Sequence, residues 1–139
     1  MNSPANPVER KQSLTGARLC KHADYQAAYA ASRKRQSASM SWFLSVRRDD
    51  EVAGPRVGLT AGKVLGKAHE RNRIKRRMRE ALRRHVDLLP AGADLILHPR
   101  RIVLTMDFGK LEAEVVRILT QARAEAERVA KATAEAQPA

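Results

Sequence analysis

Residues 63–84, KVLGKAHERNRIKRRMREALRR, are the stretch around which the rest of the chain is arranged. Ten of them are basic and only Glu70 and Glu80 are acidic, a local net charge of +8 in a chain whose formal total is +12. From Arg71 onward Ile74, Met78, Ala81, Leu82 and Val86 recur with the spacing that lines one face of a 3.6-residue helix. Asn72, Arg76, Arg79 and Arg83 line the opposite face, with Arg73, Arg77 and Arg84 along its flank. The apolar side must be buried. The charged side has too few acids to pair its cations four residues apart, so it is expected to meet a polyanion.

The 139 residues make one domain with a modest core. Residues 1–17 are polar with two prolines and are expected to be a disordered arm; 18–128 form the domain; 129–139 fade into an alanine- and glutamate-rich tail that is expected to fray. The single Cys20 excludes an internal disulfide and suits a reducing compartment. His22, His69, His85 and His98 show no metal-ligand spacing, and no protein-bound metal is expected. The start MNSPANPVERKQS lacks the apolar core of a signal peptide, and no later run has membrane-spanning length. A cytoplasmic protein with no membrane partner is expected.

Upstream of the basic stretch, Asp24 offers an N-cap for a short helix, YQAAYAA, carrying Tyr25 and Tyr29 on one face. SRKRQSAS is a loop or weak strand. In WFLSVRR, Trp42, Leu44 and Val46 alternate with Phe43, Ser45 and Arg47, the period of a half-buried strand, which leaves a ring, a hydroxyl and a cation off the core side. DDEVAGP is a turn, and RVGLTA is a second strand with Val57, Leu59 and Ala61 on one side. Downstream, Pro90 and Gly92 stop the basic helix, DLILHP reads as a short buried strand, and Asp107 caps a last helix with Leu111, Val115, Ile118, Leu119 and Ala122 as its stripe. The order helix, strands, basic helix, strand, helix describes a single-domain α+β sandwich.

Catalysis by the protein itself would need clustered carboxylates, a histidine pair or a nucleophile beside a base. Asp49, Asp50 and Glu51 share a surface turn, and the other acids are scattered. GLTAGKVLGK lacks the spacing of a phosphate-binding loop. Binding chemistry remains: cations for phosphates, and exposed rings on which unpaired bases stack for roughly 1–3 kcal/mol each.

The core RNRIKRRMRE, entered through Gly66-Lys67-Ala68, resembles the signature of the protein subunit of bacterial ribonuclease P. The similarity runs over 19–119 in the family's order: DYQAAY, WFLS, RVGL, the signature, the DLIL strand and the terminal helix. It implies an α-β sandwich with a left-handed β-α-β crossover around the basic helix, and an accessory role in an endoribonuclease. In that family the catalyst is an RNA with bound Mg²⁺, and the complex removes the 5′ leader from precursor tRNA. By similarity Arg71, Asn72, Arg73, Lys75, Arg76, Arg77 and Arg79 would dock on the ribonuclease P RNA. Tyr25, Tyr29, Phe43, Ser45, Lys63 and Arg100 would line a cleft for the single-stranded leader. No residue of the protein is implied to be catalytic, and the implied partners are the ribonuclease P RNA and precursor tRNA. The chain departs from the family's usual pattern at Gly62 and Val64, at Ser45, at Ser32, and at His69 and Glu70, which replace apolar or small residues. The alternative is a ribosomal or other structural RNA-binding protein, which would need no aromatic cleft. A DNA partner is not expected, since the helix has neither a heptad seam nor a helix-turn-helix companion.

Overall fold

The computed structural model describes residues 22–46 and 54–136. The arm 1–17, Cys20, Arg47 and the acids at 49–51 lie outside the described residues. The elements are α1 (His22–Ala31), β1 (Lys34–Gln36), β2 (Met40–Val46), β3 (Arg56–Leu59), α2 (Ala68–Leu82), β4 (Ala93–Pro99) and α3 (Phe108–Ala136). Short 3-10 turns stand at Lys63–Leu65, Val86–Leu88 and Arg101–Leu104.

The four strands form one sheet in the order β1-β2-β4-β3. β2 runs antiparallel to β1 and β4, whereas β3 and β4 are parallel and joined through α2, a β-α-β crossover. β4 therefore has strands on both sides and helices on both faces. That position explains why Ala93, Leu95, Ile96 and Leu97 read as an apolar run rather than an alternation.

The alternation in β2 sorts its residues between two layers. Met40, Trp42 and Leu44 join Val57, Leu95 and Leu97 in the main core, covered by Ile74, Met78 and Leu82 of α2 and by Leu111, Val115, Ile118 and Leu119 of α3. Phe43 points to the other face, where with Ile96 it meets Ala28, Tyr25 and Tyr29 of α1. Burying a leucine- or isoleucine-sized side chain stabilises by about 1.5–3 kcal/mol, so the α2 and α3 layer dominates the fold. The small cluster under α1 mainly sets where that helix lies.

Several boundaries differ from the sequence expectation. α1 already includes His22, so Asp24 lies inside the helix rather than at its cap. α2 stops at Leu82, where the Arg83 N–H still reaches Arg79 O at 3.0 Å; Val86 keeps its place in the apolar stripe but from a 3-10 turn. Asp107 does cap α3, accepting from the Lys110 N–H at 3.2 Å. That helix continues to Ala136. Its apolar stripe ends at Ala126, and alanine, glutamate and lysine carry the helix on by propensity.

Two buried acids tie elements together. Asp94 on β4 takes a two-point grip from Arg56 on β3, with Nε to Oδ1 at 2.9 Å and Nη2 to Oδ2 at 2.8 Å. Glu114 on α3 accepts from the Ser37 hydroxyl and from the Ser39 N–H at 3.0 Å, holding the β1–β2 turn against the last helix.

Candidate nucleic-acid interface

The basic helix buries Ile74, Met78, Ala81 and Leu82 completely. With that face fixed, Asn72, Arg73, Arg76, Arg79 and Arg84 are exposed, and Arg71 and Lys75 are half-buried. Among the described residues no carboxylate pairs with Arg73, Arg76 or Arg79. These three stand at successive i,i+3 positions, where like charges repel by a few tenths of a kcal/mol per pair. The face is therefore electrostatically uncompensated.

Two arginines of the same stretch are committed inside the protein. Arg83 pairs with Glu80 at 2.6 Å. Arg77 donates from Nε to Val103 O at 2.9 Å and from Nη2 to Met106 O, with its guanidinium over the Phe108 ring. Arg77 thus differs from its neighbours: it braces the turn after β4 to α2 rather than projecting from the polar face.

On the opposite face of the sheet four rings gather. Tyr29 stands edge-on to Phe43 with centroids 5.0 Å apart, and Tyr25 lies 6.3 Å from Tyr29. His98 completes the group at 5.8 Å from Tyr29 and 5.4 Å from Phe43. The Tyr29 hydroxyl and His98 Nε2 are 2.8 Å apart. Burial, and then the charge of Lys34, holds the imidazole below its ordinary pKa, so the neutral ring is favoured. Tyr25 lies over Gly58 of β3, where a Cβ would overlap its hydroxyl and ring. All four rings are half-buried, packed on one another with part of their surface open to solvent.

Strand register places the remaining polar groups. Gln36, Ser41 and His98 pair in sequence across β1, β2 and β4, and Thr60, just past β3, still bonds to Leu97 O at 3.0 Å. This polar row lies at the Pro99 end of the sheet. Arg100 leaves β4 there, donating to Ser37 O and to Gln36 Oε1, both at 2.9 Å. Lys63 is exposed on the turn that follows β3. Ser45 is not with them. It pairs with Asp94 near the other end of β2 and is buried, bordering a groove lined also by Ser32, Arg33, Arg35, Glu125 and Arg128. Of the six cleft positions taken from sequence, Tyr25, Tyr29 and Phe43 form one cluster, Lys63 and Arg100 follow the ends of β3 and β4 on the Pro99 side of the sheet, and Ser45 lies toward the other end of β2.

Sequence reasoning missed His98 and the pair Glu70–Arg101, in which Arg101 Nη2 meets Oε2 at 2.7 Å. Alternation in DLILHP does place His98 on the Ile96 side of β4, and that was the available signal. Among the described residues no three histidines, cysteines or acids gather as a metal site, and no helix is long and apolar enough to cross a membrane.

A ribonuclease P family model matches residues 15–123, which includes both surfaces. The chain belongs to the ribonuclease P protein family. It is 31% identical over 127 residues to the ribonuclease P protein component of Thermobifida fusca, covering 86% of each chain. The corresponding protein of Chloroflexus aggregans is 36% identical over 106 residues, covering 76% of each. Among solved structures, a Staphylococcus aureus ribonuclease P protein mutant with defective mRNA degradation activity superposes with a TM-score of 0.67 at 25% identity, over 78% of this chain and 90% of that one. The Thermotoga maritima ribonuclease P protein shares the fold, with a TM-score of 0.64 at 24% identity over 75% of this chain and 96% of that one. As a ribonuclease P protein component, the chain serves tRNA processing with the ribonuclease P RNA as its partner.

Proposed function

We propose that the two surfaces hold two different RNAs: the α2 face docks on the ribonuclease P RNA, and the ring cluster under α1 receives the single-stranded 5′ leader of precursor tRNA. The observation that carries this is their separation by the sheet. Arg73, Arg76 and Arg79 project from the helix layer on one face, while Tyr29, Phe43 and His98 gather on the other. A basic face without rings suits a structured RNA read through its phosphates. Half-open rings suit unpaired bases, with Lys63 and Arg100 from the Pro99 end of the sheet as cations for the phosphates.

The ions that cleavage requires are assigned to the RNA. Among the described residues five acids are already engaged within the protein: Asp94 with Arg56, Glu70 with Arg101, Glu112 with His85, Glu125 with Arg35, and Glu114 with Ser37 and Ser39. Among the described residues none is left in a convergent group of the kind a catalytic Mg²⁺ needs. The protein's contribution is positioning, in a cytoplasmic ribonucleoprotein whose chemistry belongs to its RNA.

The test is reconstitution with a ribonuclease P RNA at low Mg²⁺, following leader removal from precursor tRNA. The protein should stimulate cleavage and show none by itself. Phe43→Ala and Tyr29→Ala should weaken binding of leader-bearing tRNA by about 1–3 kcal/mol for each base that no longer stacks, while sparing mature tRNA. An unaltered precursor-to-mature affinity ratio would mean the rings only pack α1 onto the sheet.

A further inference from the structure

The turn Lys63–Leu65 and the first residues of α2 are held by one guanidinium that belongs to neither. Arg101, at the exit of β4, donates from Nη1 to Leu65 O at 2.7 Å and to Glu70 Oε1 at 3.2 Å, and from Nη2 to Glu70 Oε2 at 2.7 Å. Glu70 Oε1 also accepts from the Lys67 N–H at 2.9 Å, closing the first turn of the helix. Between these groups lies Gly66, at φ 125°, where a Cβ would overlap both Arg101 Nη1 and Glu70 Oε1. The left-handed backbone and the missing side chain are what let the fork reach across.

We infer that Arg101 and Glu70 are positioning residues: they clamp the Lys63 turn to the start of α2, fixing the leader cleft relative to the face that docks on the catalytic RNA. The inference rests on the reading of Lys63 as a leader contact. Between Gly62 and Gly66 only Leu65 is buried, and Val64 is 93% exposed, so little else anchors the turn. Its own backbone bonds, Leu65 N–H to Gly62 O at 3.0 Å and Gly66 N–H to Lys63 O at 3.1 Å, fix its shape but not its orientation on the helix. Arg101 supplies the missing link. Arg100, the preceding residue, grips the β1–β2 turn, so two consecutive arginines each hold a turn near the Pro99 end of the sheet.

The Arg101 side chain is 54% exposed and that of Glu70 22%, a degree of exposure at which ion pairs add little stability. The geometry is nonetheless specific, because a two-point guanidinium–carboxylate contact fixes orientation as well as distance. The Arg101 hydrogen bond, and then the Lys67 N–H, hold the Glu70 carboxyl down at about 2, so the pair is charged under any working condition. The neighbouring His69 acts on Glu70 in the same direction, as the smallest of these influences.

A direct contact of Arg101 with RNA and a clamp predict opposite signs for Glu70→Gln. Removing a negative charge from a polyanion-binding surface should tighten binding if Arg101 merely touches RNA. A clamp should instead fail. The measurement is the affinity of holoenzyme for leader-bearing and leaderless tRNA, with assembly on the catalytic RNA and the thermal midpoint followed in parallel. Glu70→Gln, Arg101→Gln and Gly66→Ala should each lower the precursor-to-mature ratio roughly three- to tenfold, the scale of coupling between residues in contact. The Glu70→Gln/Arg101→Gln double variant should be no worse than either alone. In a Lys63→Ala background Glu70→Gln should have no further effect on the ratio, whereas general structural damage would still register. An unchanged or raised ratio in Glu70→Gln, alongside a reduced ratio in Lys63→Ala, overturns the clamp. No effect of Lys63→Ala overturns the leader-contact reading itself and the clamp's role with it.

Discussion

The Tyr29 hydroxyl lies 2.8 Å from His98 Nε2, joining α1 to the central strand across the ring cluster. Burial and the nearby Lys34 charge lower the His98 pKa from its ordinary 6.5. The folded protein therefore favours the neutral ring, and the unfolded chain binds the proton more readily. His98 contributes stability that is complete above 6.5 and is lost as the pH falls through 6.5 toward the lower folded value. His98→Phe keeps a ring but cannot titrate. The stability difference between wild type and this variant should shift against the wild type between about pH 7 and about pH 5, measured by denaturant midpoints. A constant difference across that range would mean the imidazole is as well solvated folded as unfolded.

Asp94 is 3% exposed, and its charge is matched by the Arg56 fork. Arg56→Ala would take the two-point guanidinium grip from a buried carboxylate, and breaking such a pair typically costs about 3–5 kcal/mol. Since Arg56 is itself partly exposed, water can reach the vacated space, and the lower end of that range is expected. Asp94→Asn, which keeps the shape and removes the charge, should cost less. Equilibrium urea unfolding of the two variants would decide; equal losses would show that the missing charge interaction alone accounts for the cost, since Asp94→Asn preserves the shape.

Gly58 makes room for Tyr25, so Gly58→Ala should force the tyrosine off β3. Overpacking of this kind costs about 1–3 kcal/mol. Because Tyr25 neighbours Tyr29, the shift should also disturb the ring cluster, and leader-bearing tRNA should lose affinity together with stability. Tyr25→Phe should not rescue Gly58→Ala, because the overlap involves ring carbons as well as the hydroxyl. Full recovery in that double variant would show that the hydroxyl alone sets the spacing.

The periodic features of this fold were legible because they are local. Ile74, Met78, Ala81 and Leu82 announce the buried face of α2, and alternation separates Trp42 and Leu44 from Phe43. What stayed hidden depends on distant partners. Arg77 stands beside Arg76 in sequence and carries the same charge, and only the carbonyls of Val103 and Met106, supplied by a turn beyond β4, draw it inward. Glu70 and Arg101 meet across 31 residues, a separation no helical spacing reveals. Ser45 shares the face of Phe43 as expected, yet strand length carries it toward the far end of the sheet, away from Arg100. β1, only three residues long and polar, has its strand character from pairing with β2 rather than from its own pattern.

The arginines of α2 separate by what they touch. Arg76 and Arg79 are exposed and without an acid partner among the described residues, so replacing both by alanine removes repulsion and adds a good helix former. Thermal stability should hold or rise slightly. Affinity for the ribonuclease P RNA should fall, and the slope of log affinity against log salt should flatten by roughly one for each phosphate no longer neutralised, because fewer condensed counterions are released. Arg77→Ala should behave in the reverse way. It strips the Val103 and Met106 carbonyls of a charged donor and uncovers Phe108, which should cost about 1–3 kcal/mol of stability after allowance for its partial exposure. At temperatures where this variant remains folded its salt slope should match the wild type. Filter or fluorescence binding across a salt series, with circular dichroism melts of each variant, gives both quantities. A flattened slope in Arg77→Ala with an unchanged melt would show that its guanidinium leaves the carbonyls to meet RNA; an unchanged slope in the Arg76→Ala/Arg79→Ala protein would turn this face of α2 away from the ribonuclease P RNA.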